Sequence, residues 1–235
     1  MLKSKGKPLF KKNPSLLVVL IAGSATTALA LGARSTMGIF LDPVSDGLGL
    51  GTGSFALMVA VQNLIWGVGQ PIAGGLADRF GTRRVLVIGA VIYAGGLLVL
   101  AEATGPMGLH VGGGVLMGVG MAAASFSVVL AAIGRLVDES RRSFALGVAT
   151  AAGSIGQFTL IPLARILIEA TSWETAMLVM AGLTALIIVF CVPLRDPEKT
   201  GENQEVEIGE DETLREVFAR ASRNKSYLFL NAGFF

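Results

Sequence analysis

GGLADRFGTRR, residues 74–84, gathers one acid and three arginines into a glycine-bounded cluster between two long apolar stretches. What flanks the cluster decides how it is read. The 235 residues are 52% hydrophobic and 15% charged, with 31 glycines, a balance that would leave a soluble domain short of polar residues for its surface. The chain is therefore read as an integral membrane protein. Crossing a bilayer core of about 30 Å takes roughly 20 mainly apolar residues. Six stretches meet that requirement, near 16–41, 54–77, 84–102, 107–134, 144–168 and 174–194. The charged cluster is then the turn between the second and third of six helices, and the fold class is an all-α polytopic transmembrane bundle.

The remaining segments follow from the same pattern. Residues 1–194 form the six-helix domain, 195–225 a connecting loop, and SYLFLNAGFF (226–235) reads as the start of a seventh helix, too short to span. The basic MLKSKGKPLFKK does not make the first helix a signal peptide, because the apolar run behind it is too long for an h-region. Residues 202–227 turn from acidic to amphipathic, with Leu214, Val217, Phe218 and Ala221 at helical spacing, as expected of a linker helix on a membrane surface.

Loop charges give the orientation, since lysine and arginine stay on the cytoplasmic side. Lys3, Lys5, Lys7, Lys11 and Lys12 precede the first helix, Arg79, Arg83 and Arg84 occupy the second loop, and Arg135, Arg141 and Arg142 the fourth. Arg195, Lys199, Arg215, Arg220, Arg223 and Lys225 follow the sixth, so 17 of the 19 basic residues fall on one side. The opposite loops carry only acids: Asp42, Asp46, Glu102, Glu169 and Glu174. The expectation is a multi-pass protein of a bacterial inner (plasma) membrane with its N-terminus in the cytoplasm. Such clustering gives no support to nucleic-acid binding. A single cysteine, Cys191, rules out a disulfide framework and a thiolate metal cluster.

Within the cluster, Gly74 is expected to let the end of the second helix approach a neighbour, and Gly81 to permit a tight turn that a Cβ would resist. Asp78 offers a carboxylate to nearby arginines or to a helix N-terminus. The pattern G-x-x-x-D-R-x-G-x-R-R, met by Gly74, Asp78, Arg79, Gly81, Arg83 and Arg84, resembles the signature loop of the major facilitator superfamily. The resemblance implies the N-terminal half of a twelve-helix carrier, built from two inverted three-helix repeats, with substrate bound near the midplane against a second half. These six residues would then control conformational exchange, Asp78 bracing the loop against a helix of the second half. In the fourth helix, GVLMGVGMAAAS (114–125) has Gly114 where proton-coupled exporters of the family carry an arginine, four residues before Gly118. The fifth helix, SFALGVATAAGSIGQF (143–158), resembles the monocarboxylate-transporter and oxalate/formate-antiporter branch, with one additional alanine.

Two basic residues lie inside helices, Arg34 and Arg165. Arg34 stands about 27 Å along the first helix from its inner end, in the outer half of the bilayer, where a charge costs at least ~2.5 kcal/mol and faces a cavity or partner. Its face carries Gly23, Thr27, Ala30 and Gly38, small enough to leave room for a ligand, and it is the first candidate for holding an organic anion; snorkelling to the outer headgroups is the structural alternative. Arg165 is expected to pair with Glu169 one turn on. Gln62, Trp66 and Gln70 share a stripe of the second helix, and Thr150, Ser154 and Gln157 one of the fifth. Gln62, Trp66 and Gln157 are taken as candidate ligand contacts, with interhelical hydrogen bonding as the alternative. His110 is solitary, the glycines at 112–114 suit close helix packing, and Trp173 is expected to be an interfacial anchor. No enzyme constellation, cofactor motif or metal cluster is legible. The function expected is a secondary transporter moving a small organic anion, a monocarboxylate or dicarboxylate, by alternating access, with the lipid bilayer and a second half as partners. A carrier for a neutral or cationic compound, or a membrane receptor or scaffold, are the alternatives.

Overall fold

A computed structural model describes residues 15–195. Six helical spans run through it: α1 (Leu16–Gly47), α2 (Thr52–Phe80), α3 (Thr82–Ala101), α4 (Pro106–Leu136), α5 (Glu139–Ala170) and α6 (Trp173–Phe190). No strand occurs among the described residues. The expected loop after Arg195 and the expected seventh helix lie outside them. Most spans are longer than their apolar runs, since charged first and last turns such as Glu139–Arg142 continue a helix past the stretch that hydropathy detects.

The helices pair α1 with α5, α2 with α4, and α3 with both α4 and α6. Exchanging α1 for α4, α2 for α5 and α3 for α6 maps the first pair onto the second and returns the α3–α6 pair to itself, which is the signature of two related three-helix units. The breaks in the helices follow the same exchange. After 20 α-helical residues α1 passes at Thr36–Phe40 through a 3₁₀ stretch, and α4 is interrupted at Ala124–Ser125, a similar distance from its own start.

Small residues set the spacing. A Cβ added at Gly32 of α1 would lie 2.7 Å from the Gly156 carbonyl oxygen of α5, and one at Gly118 of α4 would lie 3.0 Å from the Gln62 carbonyl oxygen of α2. Such close backbones supply the van der Waals contact that replaces a hydrophobic driving force in lipid. The glycine run at 112–114 packs as expected, Gly112 against Gly96 and Leu100 of α3 and Gly113 against Met58 of α2. Residues Leu109–Leu116 form a π-helix, a feature that hydropathy does not reveal because every residue of the stretch except His110 is apolar or glycine.

Buried side chains gather toward the two ends. Phe40, Phe55, Tyr93, Leu100 and Trp173 belong to one cluster and Leu86, Val129, Ile133 and Cys191 to the other; the small set Ala30, Ala90 and Ile187 packs separately. Trp173 corrects an expectation: only 8% exposed, it is a core residue rather than an interfacial anchor. Its indole nitrogen lies where a Cβ on Gly47 would be, so the missing side chain on α1 admits the ring.

Candidate functional site

Arg34 is the penultimate residue of the α-helical part of α1, two residues before the 3₁₀ stretch. Its Nη2 donates to Asn63 Oδ1 of α2 at 3.1 Å, and its guanidinium carbon lies 4.3 Å from the centroid of the Trp66 ring. Asn63 and Trp66 are three residues apart, hence on one face of α2. The buried Arg34 Nε has no hydrogen-bond partner. Among the described residues Arg34 forms no ion pair, the pairs found being Asp78 with Arg135 and Arg165 with Glu169. The guanidinium is thus held by an aromatic face and a neutral amide, and its charge is left for something else.

Beside it is a small cavity of about 10 Å³ lined by Ala30, Arg34, Trp66, Tyr93, Met121 and Ser125, among others. Tyr93 directs its hydroxyl toward the Ala30 carbonyl at 3.5 Å. Ser125, at the break in α4, accepts from Val128 N at 3.4 Å and so caps the 11-residue helical segment that follows. The positive end of that segment's dipole therefore adjoins the arginine. Both features favour negative charge, and each comes from the broken helix of one repeat.

The structure brings two of the four expected ligand contacts together, Arg34 and Trp66, and adds Asn63. Gln62 turns the other way. Only 2% exposed, it donates from Nε2 to the Gly113 carbonyl at 2.7 Å and lies near Met117 Sδ at 3.6 Å, tying α2 to the π-helical part of α4. Gln157 is half-buried on α5 and does not line the cavity at Arg34. Reading the 62–66–70 stripe as the polar face favours Gln62 over Asn63, because only the packed neighbours settle which face of α2 meets α1. Arg165 binds Glu169 through Nε, as its spacing predicts.

The charged turn forms the second site. Gly81 sits at φ 92°, in the region that disfavours a side chain, and separates α2 from α3. Asp78 Oδ1 accepts from Arg135 Nη1 of α4 at 2.9 Å, and Arg135 Nη2 donates to Thr82 Oγ1 at 2.6 Å. One arginine thus joins the end of α2, the start of α3 and the end of α4. Arg79 lies over the Phe80 ring at 5.4 Å, while Arg83 and Arg84 are exposed. Between α2 and α4 an open cleft of about 430 Å³ is lined by Gly67, Gln70, Gly74, Asp78, Ser127 and Arg135, among others, with Ser127 Oγ donating to Gln70 Oε1 at 3.3 Å. Gly74 does not make the close approach expected of it: a Cβ there would meet no atom within 4 Å, because this face of α2 looks into the cleft. Just past the last helical turn of α6 the Cys191 thiol is buried.

The model of the Major Facilitator Superfamily matches residues 23–235. The chain belongs to this superfamily. Among curated proteins it is similar to monocarboxylate transporter 3 of Rattus norvegicus, 30% identical over 167 residues that cover 71% of this chain and 34% of that one. Monocarboxylate transporter 13 of Rattus norvegicus is 27% identical over 189 residues, 80% of this chain and 44% of that one. Monocarboxylate transporter 3 of Gallus gallus is 30% identical over 148 residues, 63% and 27% respectively. The chain thus matches less than half the length of each of these relatives. The superfamily and these relatives are transporters rather than enzymes, and six membrane-capable helices make the chain an integral multi-pass membrane protein.

Proposed function

We propose that this chain supplies the N-terminal half of a secondary carrier that moves a small organic anion, of the monocarboxylate or dicarboxylate class, by alternating access. One observation carries the reading: Arg34, in the apolar part of the bundle, is held by Asn63 and Trp66 without a carboxylate partner among the described residues. A guanidinium stays charged at physiological pH and presents a planar fork that matches a carboxylate, and in a poorly hydrated site such a pair is roughly twice as strong as a neutral hydrogen bond. The names of the relatives point to the same class of solute. The cavity beside Arg34 admits about one water, so substrate access is assigned to another conformation, as alternating access requires. The second half of the substrate site is assigned to six further helices, and the N-terminus to the cytoplasm on the basic loops. The relatives named are animal proteins, so the proposal takes a plasma membrane as host rather than specifically a bacterial one.

Equilibrium binding of radiolabelled pyruvate, L-lactate and oxalate to the complete carrier tests the reading. Arg34→Gln abolishes binding and Arg34→Lys weakens it, since lysine keeps the charge and loses the fork. Unchanged binding and transport in Arg34→Gln would remove the main support for an anionic solute.

A further inference from the structure

We infer that Asn63 is a positioning residue that fixes the Arg34 guanidinium without neutralising it, and that the neutrality of its side chain is what keeps this position available to an anion. The inference rests on the anion reading of Arg34. An arginine on a long flexible stem needs at least one fixed acceptor to present its fork in one orientation. Asn63 Oδ1 provides it at 3.1 Å. Trp66 at 4.3 Å fixes the plane of the group, since a cation over an aromatic face is attracted by the ring quadrupole. Neither interaction cancels the charge. A carboxylate in the place of the amide would form an ion pair with Arg34 at this exposed contact, and an incoming anion would then have to displace a like charge.

The surroundings make this a one-residue decision. Arg34 and Tyr93 are the titratable residues lining the cavity. His110 stands three residues before Gly113, the carbonyl bound by the neighbouring Gln62, and Asp42 lies eight residues beyond Arg34 on α1. None of these makes a hydrogen bond or ion pair with the guanidinium. The neighbouring amide of Gln62, which unlike that of Asn63 is buried, is occupied by Gly113 and cannot substitute.

The test compares Asn63→Asp with Asn63→Ala and the parent, in the complete carrier, by equilibrium binding of whichever of pyruvate, L-lactate and oxalate the parent binds most tightly, at about pH 7.4, where the probes are anionic and a carboxyl beside Arg34 is ionised. Asn63→Asp, the closer match in shape, is expected to bind more than tenfold more weakly than the parent. Asn63→Ala keeps the charge free but loses the anchor, and is expected to bind roughly three- to tenfold more weakly; a role in packing alone would reverse this order. Asn63→Asp binding like the parent, or more tightly than Asn63→Ala, would overturn the inference. Arg34→Gln separates the two levels. If it abolishes binding while Asn63→Asp does not, the anion site stands and the role of Asn63 falls; if it binds like the parent, or if no probe binds to the parent, both fall.

Discussion

Replacing Asp78 by asparagine removes the charge that Arg135 Nη1 meets at 2.9 Å while keeping an acceptor of similar shape. The side chains are 69% and 37% exposed, and an ion pair so open to solvent is worth only about 0.2–1 kcal/mol, further reduced by salt. Arg135 keeps its bond to Thr82 in the variant, so global stability should scarcely change. If the pair exists in only one of the conformations that a carrier alternates between, the same free energy is the largest bias its loss imposes on their equilibrium. That corresponds to a shift of roughly 1.4- to 5-fold in the population ratio. Apparent substrate affinity then changes by no more than that factor, because Arg34 shares no hydrogen-bond partner with Asp78 and loses no contact. Double electron–electron resonance between spin labels on the two halves of the complete carrier, read with and without pyruvate, measures the populations directly. The exchange Asp78→Arg with Arg135→Asp should restore the parental ratio in part. A loss of pyruvate affinity greater than about tenfold, with unchanged conformational populations, would refute the reasoning and place Asp78 in the binding machinery.

Gly32→Ala puts a methyl 2.7 Å from the Gly156 carbonyl oxygen and 2.7 Å from Leu160 Cδ1, and overpacking of that kind costs about 1–3 kcal/mol. Scanning fluorimetry of the complete carrier in detergent should show a clear fall in midpoint against Gly38→Ala, where an added Cβ meets nothing within 4 Å; equal midpoints would show that α1 and α5 can part without cost. For orientation, single cysteines at Gly51 and Gly105 are expected to react with an impermeant maleimide from outside intact cells in a Cys191→Ala background, and one at Lys5 is not; the opposite pattern would invert the topology. Native Cys191, buried, should label more slowly than an exposed cysteine in opened membranes.

What the sequence determined by itself is what depends on one-dimensional sums. Hydrophobic length set the six spans, since a bilayer demands about 20 apolar residues from any helix that crosses it. Local geometry was equally legible: Gly81 has the positive φ that its place in the charged turn demands, and Arg165 reaches Glu169 because an i, i+4 spacing leaves little choice. Pairings between helices depend on rotation about each axis, which a span apolar on nearly every face does not specify. Only the packing decided that Gln62 faces Gly113 while its neighbour Asn63 faces Arg34, that Asp78 meets Arg135 fifty-seven residues away, and that Trp173 is buried against Gly47. The 3₁₀ stretch of α1 and the π stretch of α4 also escaped the sequence, since each changes hydrogen-bond partners without changing hydropathy. In lipid the surface of a helix carries little information about its neighbours, and the close approach of small residues such as Gly32 and Gly156 is what finally selects them.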